Sequence, residues 1–215
     1  MITVACVLKL GGDYNGDYVY RLYKSIKRNT NFCFEFVCLS DEREARSRLK
    51  NDWLGWWAKI ELFNLKGRVL YFDLDTVILN NIDCIFEVVN GLGTNEFMGV
   101  KAFHPERCLK EETNFNSSIM AWNGNFKFIY DNFDYDKEKN NIDESMFGDQ
   151  DYISRELRVR NVKIRFWQDE IGGLYSYKKH CQGELPDDAR VVCFHGNPRP
   201  REVKDLEWVR NNWSG

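Results

Sequence analysis

Short apolar runs alternate with segments of helical spacing through the first third of the sequence. The runs, rich in β-branched and aromatic residues, are 2–8, 34–39 and 69–72; the helical segments are 18–28, 41–50 and 56–65. Such alternation predicts an α/β fold, with a mostly parallel central sheet and helices on both of its faces. In sheets of this kind, ligands bind beyond the carboxyl ends of the strands.

Two carboxylates directly follow the third apolar run. Asp73-Leu74-Asp75 comes after residues 69–72 and precedes a second apolar stretch. In an extended segment residues i and i+2 point to the same side, so both carboxylates can reach one ion. Carboxylates at the mouth of a buried strand are costly without a partner charge, and a divalent cation would supply one. The alternative is a turn in which the aspartates cap the next segment.

Polar segments also follow the first two runs. Residues 11–17 read Gly-Gly-Asp-Tyr-Asn-Gly-Asp, and Ser40-Asp41 closes the second run. Because the carboxyl ends of parallel strands share one edge of a sheet, we expect these segments to converge with the aspartate pair. A glycine-rich loop with Tyr14 and Asp13 can stack on a base and bond its edge. The alternative is an ordinary polar turn.

The second half of the sequence has a more mixed pattern. It predicts strands at 97–103, 117–122, 162–167 and 191–194, helices at 126–132 and 149–157, and an exposed loop or lid at 134–144. His195 follows the last strand directly. An imidazole beside two carboxylates favours Mn²⁺ over Mg²⁺, and the guanidinium of Arg199 suits diphosphate oxygens. A structural histidine is the alternative.

Charge and composition narrow the class of protein. The 215 residues carry a formal net charge of −3 without a long basic run, which argues against nucleic acid as a partner. No apolar run is long enough to span a bilayer, and the N-terminus reads as a strand and not as a signal peptide. Scattered cysteines indicate a reducing, cytosolic setting. We expect one domain over 1–215, with a nucleotide-binding half at 1–103 and an acceptor half at 104–215.

Four motifs, in order along the chain, resemble those of one enzyme family. They are Asp73-Leu-Asp with the Thr-Val-Ile-Leu run after it, Phe115-Asn-Ser-Ser, Gly148-Asp-Gln, and His195-Gly-Asn-Pro-Arg-Pro. The chain is similar to GT-A-fold glycosyltransferases of the glycogenin and galactinol-synthase type. Its last motif is shortened and carries Arg199 where that family has lysine. The chain also resembles the N-terminal domain of a large virus-encoded glycosyltransferase, so it could be one domain of a larger enzyme.

The resemblance implies a Mn²⁺-dependent, retaining hexosyltransferase with a UDP-sugar donor and a glycan acceptor. The implied metal ligands are Asp73, Asp75 and His195, and the implied catalytic residues are Asp149, Asp151 and Arg199. The implied substrate contacts are Leu8, Gly11, Asp13, Tyr14, Tyr18, Ser40, Asp41, Lys59, Asp73, Leu74, Asn116, Ser117, Gln150, Gly196 and Arg199.

Two other functions stay open. Residues 72–77 also fit the Asp-x-Asp-x-Thr/Val pattern of haloacid-dehalogenase-type phosphatases, although that family usually carries its aspartate pair on the first strand. An inactive nucleotide-sugar-binding domain is the non-enzymatic alternative. Composition does not identify the donor sugar: UDP-glucose is the default, and a deoxyhexose remains open.

Overall fold

The fold is taken from a computed structural model of the chain, which describes residues 1–103, 114–140 and 148–213. Across these ranges, no helix combines the length and the apolar character needed to cross a bilayer. The strands are β1 Ile2–Leu8, β2 Phe34–Ser40, β3 Ser47–Arg48, β4 Lys66–Phe72, β5 Thr76–Ile78, β6 Glu96–Lys101, β7 Phe115–Asn125, β8 Ile164–Phe166, β9 Leu174–Ser176 and β10 Val191–Cys193.

A seven-stranded sheet runs through the middle of the described structure, in the order β3-β2-β1-β4-β7-β6-β8. β1 pairs in parallel with β2 and β4, β2 with β3, and β6 with β8. Only β7 runs antiparallel to its neighbours, β4 and β6. The mostly parallel α/β sheet predicted from the sequence is therefore confirmed.

Helices cover both faces of this sheet, as predicted. They are α1 Gly16–Asn29, α2 Asp83–Gly91, α3 Phe128–Asp131, α4 Tyr135–Glu138, α5 Asp149–Val159, α6 Trp167–Glu170, α7 Tyr177–His180 and α8 Glu207–Asn212, with 3-10 helices at Gly55–Asn64 and Pro200–Val203. Successive side chains of a central strand pack alternately into two hydrophobic cores. On β4, Leu70 and Phe72 belong to the core under α1 and α2. Val69 and Tyr71 belong to the core under the first 3-10 helix, α3 and α5. This alternation explains why the run is apolar at every position.

A small second sheet, β5-β10-β9, brings the C-terminal part of the chain to the aspartate pair. β10 runs antiparallel to β5, with Cys193 opposite Thr76. The backbone N–H of Phe194 then donates to the carbonyl of Asp75 at 3.2 Å. His195, the next residue, is therefore placed beside the end of β4.

The helix predicted for residues 41–50 is wrong. The segment turns and forms the short strand β3 beside β2. The buried carboxylate of Glu61, on the first 3-10 helix, accepts hydrogen bonds from the backbone N–H groups of Lys50 at 2.8 Å and Asn51 at 2.7 Å. A buried carboxylate requires such donors, so this tertiary contact overrides the local helical spacing.

Other elements differ in kind or extent from their predictions. The helix predicted at 56–65 is a 3-10 helix, and the exposed loop predicted at 134–144 contains α4 in its described part. Glu138 of α4 is buried and pairs with Arg155 of α5 at 2.7 Å. Residues 141–144 of that prediction lie outside the described residues. Strand β5 and helix α2 were not predicted from the sequence.

Substitution Glu61→Ala tests the anchor of the 41–52 segment. It leaves two partly buried N–H donors without their carboxylate acceptor, so we expect the free energy of unfolding to fall by roughly 1–3 kcal/mol. Urea unfolding followed by circular dichroism measures this change. Glu87→Ala on the exposed side of α2 is the control and should change stability by less than about 0.5 kcal/mol. Equal effects of the two substitutions would contradict the anchor.

Candidate active site

A cleft of about 460 Å³ opens at the carboxyl ends of β1 and β4, the edge of the sheet at which the sequence predicts a ligand. Its walls come from the segments after these two strands, the first 3-10 helix, the start of β7, the start of α5 and the turn after β10. The side chains on these walls form two networks of ion pairs.

Asp75 is the most enclosed carboxylate of the cleft, with 6% of its side chain exposed. The phenol of Tyr14 donates to its Oδ2 at 2.7 Å, and Arg199 Nη1 donates to the same oxygen at 2.6 Å. Burial, with the negative charge of Asp73, raises the pKa of Asp75 to about 7, although the two donors act in the opposite direction. The ionised form is therefore costly here, and further positive charge would stabilise it.

Arg199 connects the turn after β10 to the loop after β1. Its Nη2 lies 3.1 Å from Oδ2 of Asp13, and its guanidinium carbon lies 4.8 Å from the ring centroid of Tyr14. The planar group is thus held by two carboxylates and one aromatic face. The same planar fork of donors matches phosphate oxygens.

A second network is centred on the buried amine of Lys59. Its Nζ lies 3.0 Å from Oδ1 of Asp73 and 3.0 Å from Oδ2 of Asp149, and it donates to Oγ of Ser117 at 2.9 Å. Burial acts to lower the pKa of Lys59, but the two carboxylates outweigh it and raise the pKa above its ordinary value. The phenol of Tyr71 also donates to Oδ1 of Asp73, at 2.5 Å. The network ties the 3-10 helix, β4, β7 and α5 together.

Two amides lie beside this network. Asn116 Nδ2 donates to Oε1 of Gln150 at 3.4 Å, and Asn116 Oδ1 accepts the backbone N–H of Ser118 at 2.9 Å. Both amides line the cleft. Each has donor and acceptor atoms of the kind that bind sugar hydroxyls.

His195 also lines the cleft, but its imidazole contacts the small sheet. Nε2 lies 2.5 Å from Oγ of Ser176, at the end of β9. The ring stacks on Phe103 with centroids 5.3 Å apart. These contacts hold the imidazole next to the wall that Asp75 forms.

The predicted metal ligands lie on one cleft without being assembled into a ligand set. Among the described residues, no three His, Cys, Asp or Glu side chains are gathered as a metal site would require. Asp73 contacts Lys59, Asp75 contacts Arg199, and His195 contacts the small sheet. Two carboxylates and an imidazole are nevertheless donors suited to Mn²⁺. Burial, with the negative charge of Asp73, also makes the ionised form of Asp75 costly, and a cation would offset that cost. In donor chemistry and charge, the residues fit a divalent cation.

No protein-family model and no curated protein sequence matches the chain. Solved structures do match it. The galactosyltransferase LgtC, in complex with donor and acceptor sugar analogues, aligns over 97% of this chain and 93% of its own, with 14% identity and a TM-score of 0.61. GlyE from Streptococcus pneumoniae aligns over 99% of this chain with 16% identity and a TM-score of 0.65. The bifunctional glycosyltransferase WbbM aligns over 98% with 15% identity and a TM-score of 0.60.

The chain has the GT-A glycosyltransferase fold. It spans 62% of the length of GlyE and 50% of that of WbbM. The GT-A fold predicted from the sequence motifs is therefore confirmed. The structural similarity shows neither the glycogenin type nor a viral origin, and both stay predictions.

The cleft of this GT-A fold collects most of the predicted site residues. Those that line it are Asp13, Tyr14, Lys59, Asp73, Leu74, Asp75, Asn116, Ser117, Asp149, Gln150, His195, Gly196 and Arg199. Those that do not line it are Leu8, Gly11, Tyr18, Ser40, Asp41 and Asp151.

The predicted residues that lie off the cleft support its walls in several cases. Leu8 and Tyr18 are buried in the core, and the ring of Tyr18 packs edge-on against Tyr14 with centroids 5.1 Å apart. Asp41 accepts a hydrogen bond from Lys9 Nζ at 2.7 Å. Lys9 itself lines the cleft, so Asp41 acts on the site through this lysine.

Lys9, Trp56 and Tyr71 line the cleft without having been predicted. Two of them carry a signal in the sequence. Lys9 directly follows β1, and Tyr71 is two residues before Asp73, so it points to the same side of the extended strand. No local signal separates the cleft-lining Trp56 from its neighbour Trp57.

Substitution Lys59→Met tests the central ion-pair network. It leaves the carboxylates of Asp73 and Asp149 close together without their shared cation, so we expect a loss of roughly 3–5 kcal/mol in the free energy of unfolding. Lys101→Met, which removes the half-exposed ion pair with Asp169, is the control and should cost at most about 1 kcal/mol. Urea unfolding of both variants measures the difference. Similar small losses would show that the network contributes little.

Proposed function

We propose that this protein transfers a hexose from a UDP-sugar to a hydroxyl group of a glycan or a similar acceptor. The proposal includes Mn²⁺ as cofactor and retention of the anomeric configuration. The observation that carries it is the enclosed Asp75 carboxylate beside Asp73, bound by the guanidinium of Arg199, in the ligand cleft of a GT-A fold. A glucose-like hexose and a deoxyhexose are both candidate donor sugars.

The similarity to LgtC supports the use of two sugar substrates. LgtC was solved with donor and acceptor sugar analogues together, and this chain aligns with nearly the whole of it. We extend donor and acceptor binding to the cleft at the carboxyl ends of β1 and β4. We further propose one catalytic domain over 1–215, of the glycogenin type and active in a reducing, cytosolic setting. The unpaired thiols of the described cysteines support that setting.

The diphosphate of the donor is assigned to the end of the cleft at Asp75. Bound to Asp73, Asp75 and His195, Mn²⁺ would act as a Lewis acid toward the departing UDP. Arg199 contributes a planar fork of N–H donors at the same end, where negative charge develops as the bond to the sugar breaks. Asp13 and the ring of Tyr14 orient this fork.

The transferred sugar is assigned to the end of the cleft at α5. Positive charge develops at the anomeric carbon in an oxocarbenium-like transition state. Asp149 is held by Lys59 and Ser117, which fix the position of its carboxylate. We therefore assign Asp149 to electrostatic stabilisation of that charge. Asp151 does not line the cleft, so Asp149 is preferred for this role.

The position of the aspartate pair in the fold argues against the phosphatase alternative. The pair follows β4, whereas phosphatases of that type usually carry it on the first strand. The similar structures, moreover, are glycosyltransferases. The non-enzymatic alternative, an inactive sugar-nucleotide-binding domain, differs from the proposal only in turnover.

Release of UDP tests the proposed reaction. With Mn²⁺ and a panel of UDP-hexoses, we expect release of UDP by the wild-type protein, loss of this release with a chelator, and a loss of roughly 100-fold or more in Asp75→Asn. Asp131→Asn, which changes an exposed carboxylate of α3, is the matched control and should keep full activity. The anomeric proton coupling of the product reports retention or inversion.

Two results would replace the proposal. Release of inorganic phosphate from simple phosphomonoesters, without release of UDP from UDP-sugars, would establish the phosphatase. Tight binding of UDP-sugars without turnover, across varied acceptors, would establish the inactive binding domain.

Substitution Arg199→Ala tests the assignment of the guanidinium to the leaving group. Removal of a donor to the developing charge should lower kcat by roughly 100-fold to 1000-fold. Arg199→Lys keeps the charge but not the fork, so it should recover only part of the rate. Steady-state kinetics of UDP release measures both variants. Arg201→Ala, on the exposed 3-10 helix that follows, is the control. A change confined to KM would show that Arg199 only binds the donor.

A further inference from the structure

Trp56 is half exposed at the mouth of the cleft, whereas its neighbour Trp57 is buried. The exposed fractions are 50% and 3%. Both are in the first turn of the 3-10 helix Gly55–Asn64, where Trp57 packs on Phe133 with ring centroids 5.3 Å apart. Isolated exposed apolar side chains are common on protein surfaces. Trp56 differs because it lines the ligand cleft and because the backbone of Gly148 packs against its ring.

The backbone of Gly148 packs directly against the indole of Trp56. Gly148 has a φ of +135°, and a Cβ added there would lie 2.7 Å from Nε1 of the indole. Any side chain at this position would displace the ring or the backbone. The same glycine directly precedes Asp149 and Gln150. The indole therefore packs beside the start of α5, next to Asp149, which we assign to the transferred sugar.

A series of contacts leads along the cleft from Arg199 to Trp56. Arg199 contacts Asp75 at one end of the cleft. Lys59 links the aspartate pair to the start of α5, where Gly148 contacts the indole. Under the proposed function, this order runs from the diphosphate to the transferred sugar and then to Trp56. The indole stands where an acceptor must approach.

We propose that Trp56 is the platform on which a neutral pyranose ring of the acceptor stacks. The C–H groups on one face of a pyranose are apolar, and the indole offers a large, electron-rich face to them. The amides of Asn116 and Gln150 supply donors and acceptors for the hydroxyls at the edge of such a ring. This inference rests on the proposed function and names its acceptor class, a sugar with one apolar face.

Saturation-transfer NMR tests the platform without relying on activity. The probes are methyl pyranosides of common hexoses and of xylose, added to the protein with UDP and Mg²⁺. We expect the wild-type protein to transfer saturation to the protons on one face of at least one probe. Trp56→Ala should lose this signal and Trp56→Phe should keep part of it. Tyr20→Ala removes an aromatic ring of equal exposure, 50%, on α1 and should behave as the wild type.

Kinetics give a second readout with a methyl pyranoside that accepts the hexose. Loss of one stacking face should raise the KM for that acceptor roughly tenfold in Trp56→Ala, with a much smaller change in kcat. The Kd for UDP, measured by calorimetry, should stay close to that of the wild-type protein. If the alanine variant fails to fold, Trp56→Phe carries the same comparison with a smaller shift.

Three results would overturn the inference. A loss of UDP affinity in Trp56→Ala as large as its loss of affinity for the pyranoside would place the indole beside the nucleotide. Unchanged probe binding in that variant, or no probe binding by a wild-type protein that binds UDP, would remove the platform and leave the proposed function intact. A wild-type protein that neither binds UDP nor releases it from UDP-sugars would overturn the proposed function, and this inference with it.

Discussion

The placement of two carboxylates at the end of β4, Asp75 buried and Asp73 partly buried, is the constraint on which the rest of the site depends. A carboxylate withdrawn from water requires a partner of opposite charge or several hydrogen-bond donors. Asp73 and Asp75 each have a cationic partner of their own. Lys59 reaches Asp73 from the first 3-10 helix, and Arg199 reaches Asp75 from the turn after β10. Segments far apart in the sequence are thereby fixed at one edge of the sheet.

The two partners differ in their surroundings, and this difference separates their roles. Lys59 is enclosed and contacts Asp149 and Ser117 as well as Asp73, so its loss would leave carboxylates close together without a cation. Arg199 also contacts Asp13, whose side chain is 53% exposed. This second ion pair is open to solvent, and such a pair can exchange partners at lower cost than an enclosed one. Lys59 thus belongs to the scaffold of the site, whereas Arg199 is placed to meet a ligand.

The strands, the sheet edge and most of the cleft could be predicted because each depends on local pattern. Runs such as Ile2–Leu8 are apolar on both faces, and residues that end parallel strands meet at one edge. The segment 41–50 could not be predicted in this way, since its backbone donors are directed by Glu61, a residue beyond the segment itself. The position of Lys59 between Asp73 and Asp149 could not be predicted either. It depends on α5 and β7, which no spacing near the lysine reveals. Trp56 and Trp57 look alike in sequence, and only the 3-10 helix and Gly148 distinguish them.

The balance of charge in the two networks supports a role for a cation. In the part of the chain that the structure describes, the cations paired with Asp13, Asp73, Asp75 and Asp149 are Lys59 and Arg199, so full ionisation of these six groups leaves an excess of two negative charges. Burial and the negative charge of Asp73 raise the pKa of Asp75 to about 7. Protonation of Asp75 therefore removes part of this excess. A divalent cation would balance the same excess with all four carboxylates ionised. The cation would also weaken the ion pair between Asp75 and Arg199, because the cation and the guanidinium would share one carboxylate. The guanidinium would then be available to the phosphates that arrive with the donor, which couples the proposed metal site to the proposed leaving-group contact.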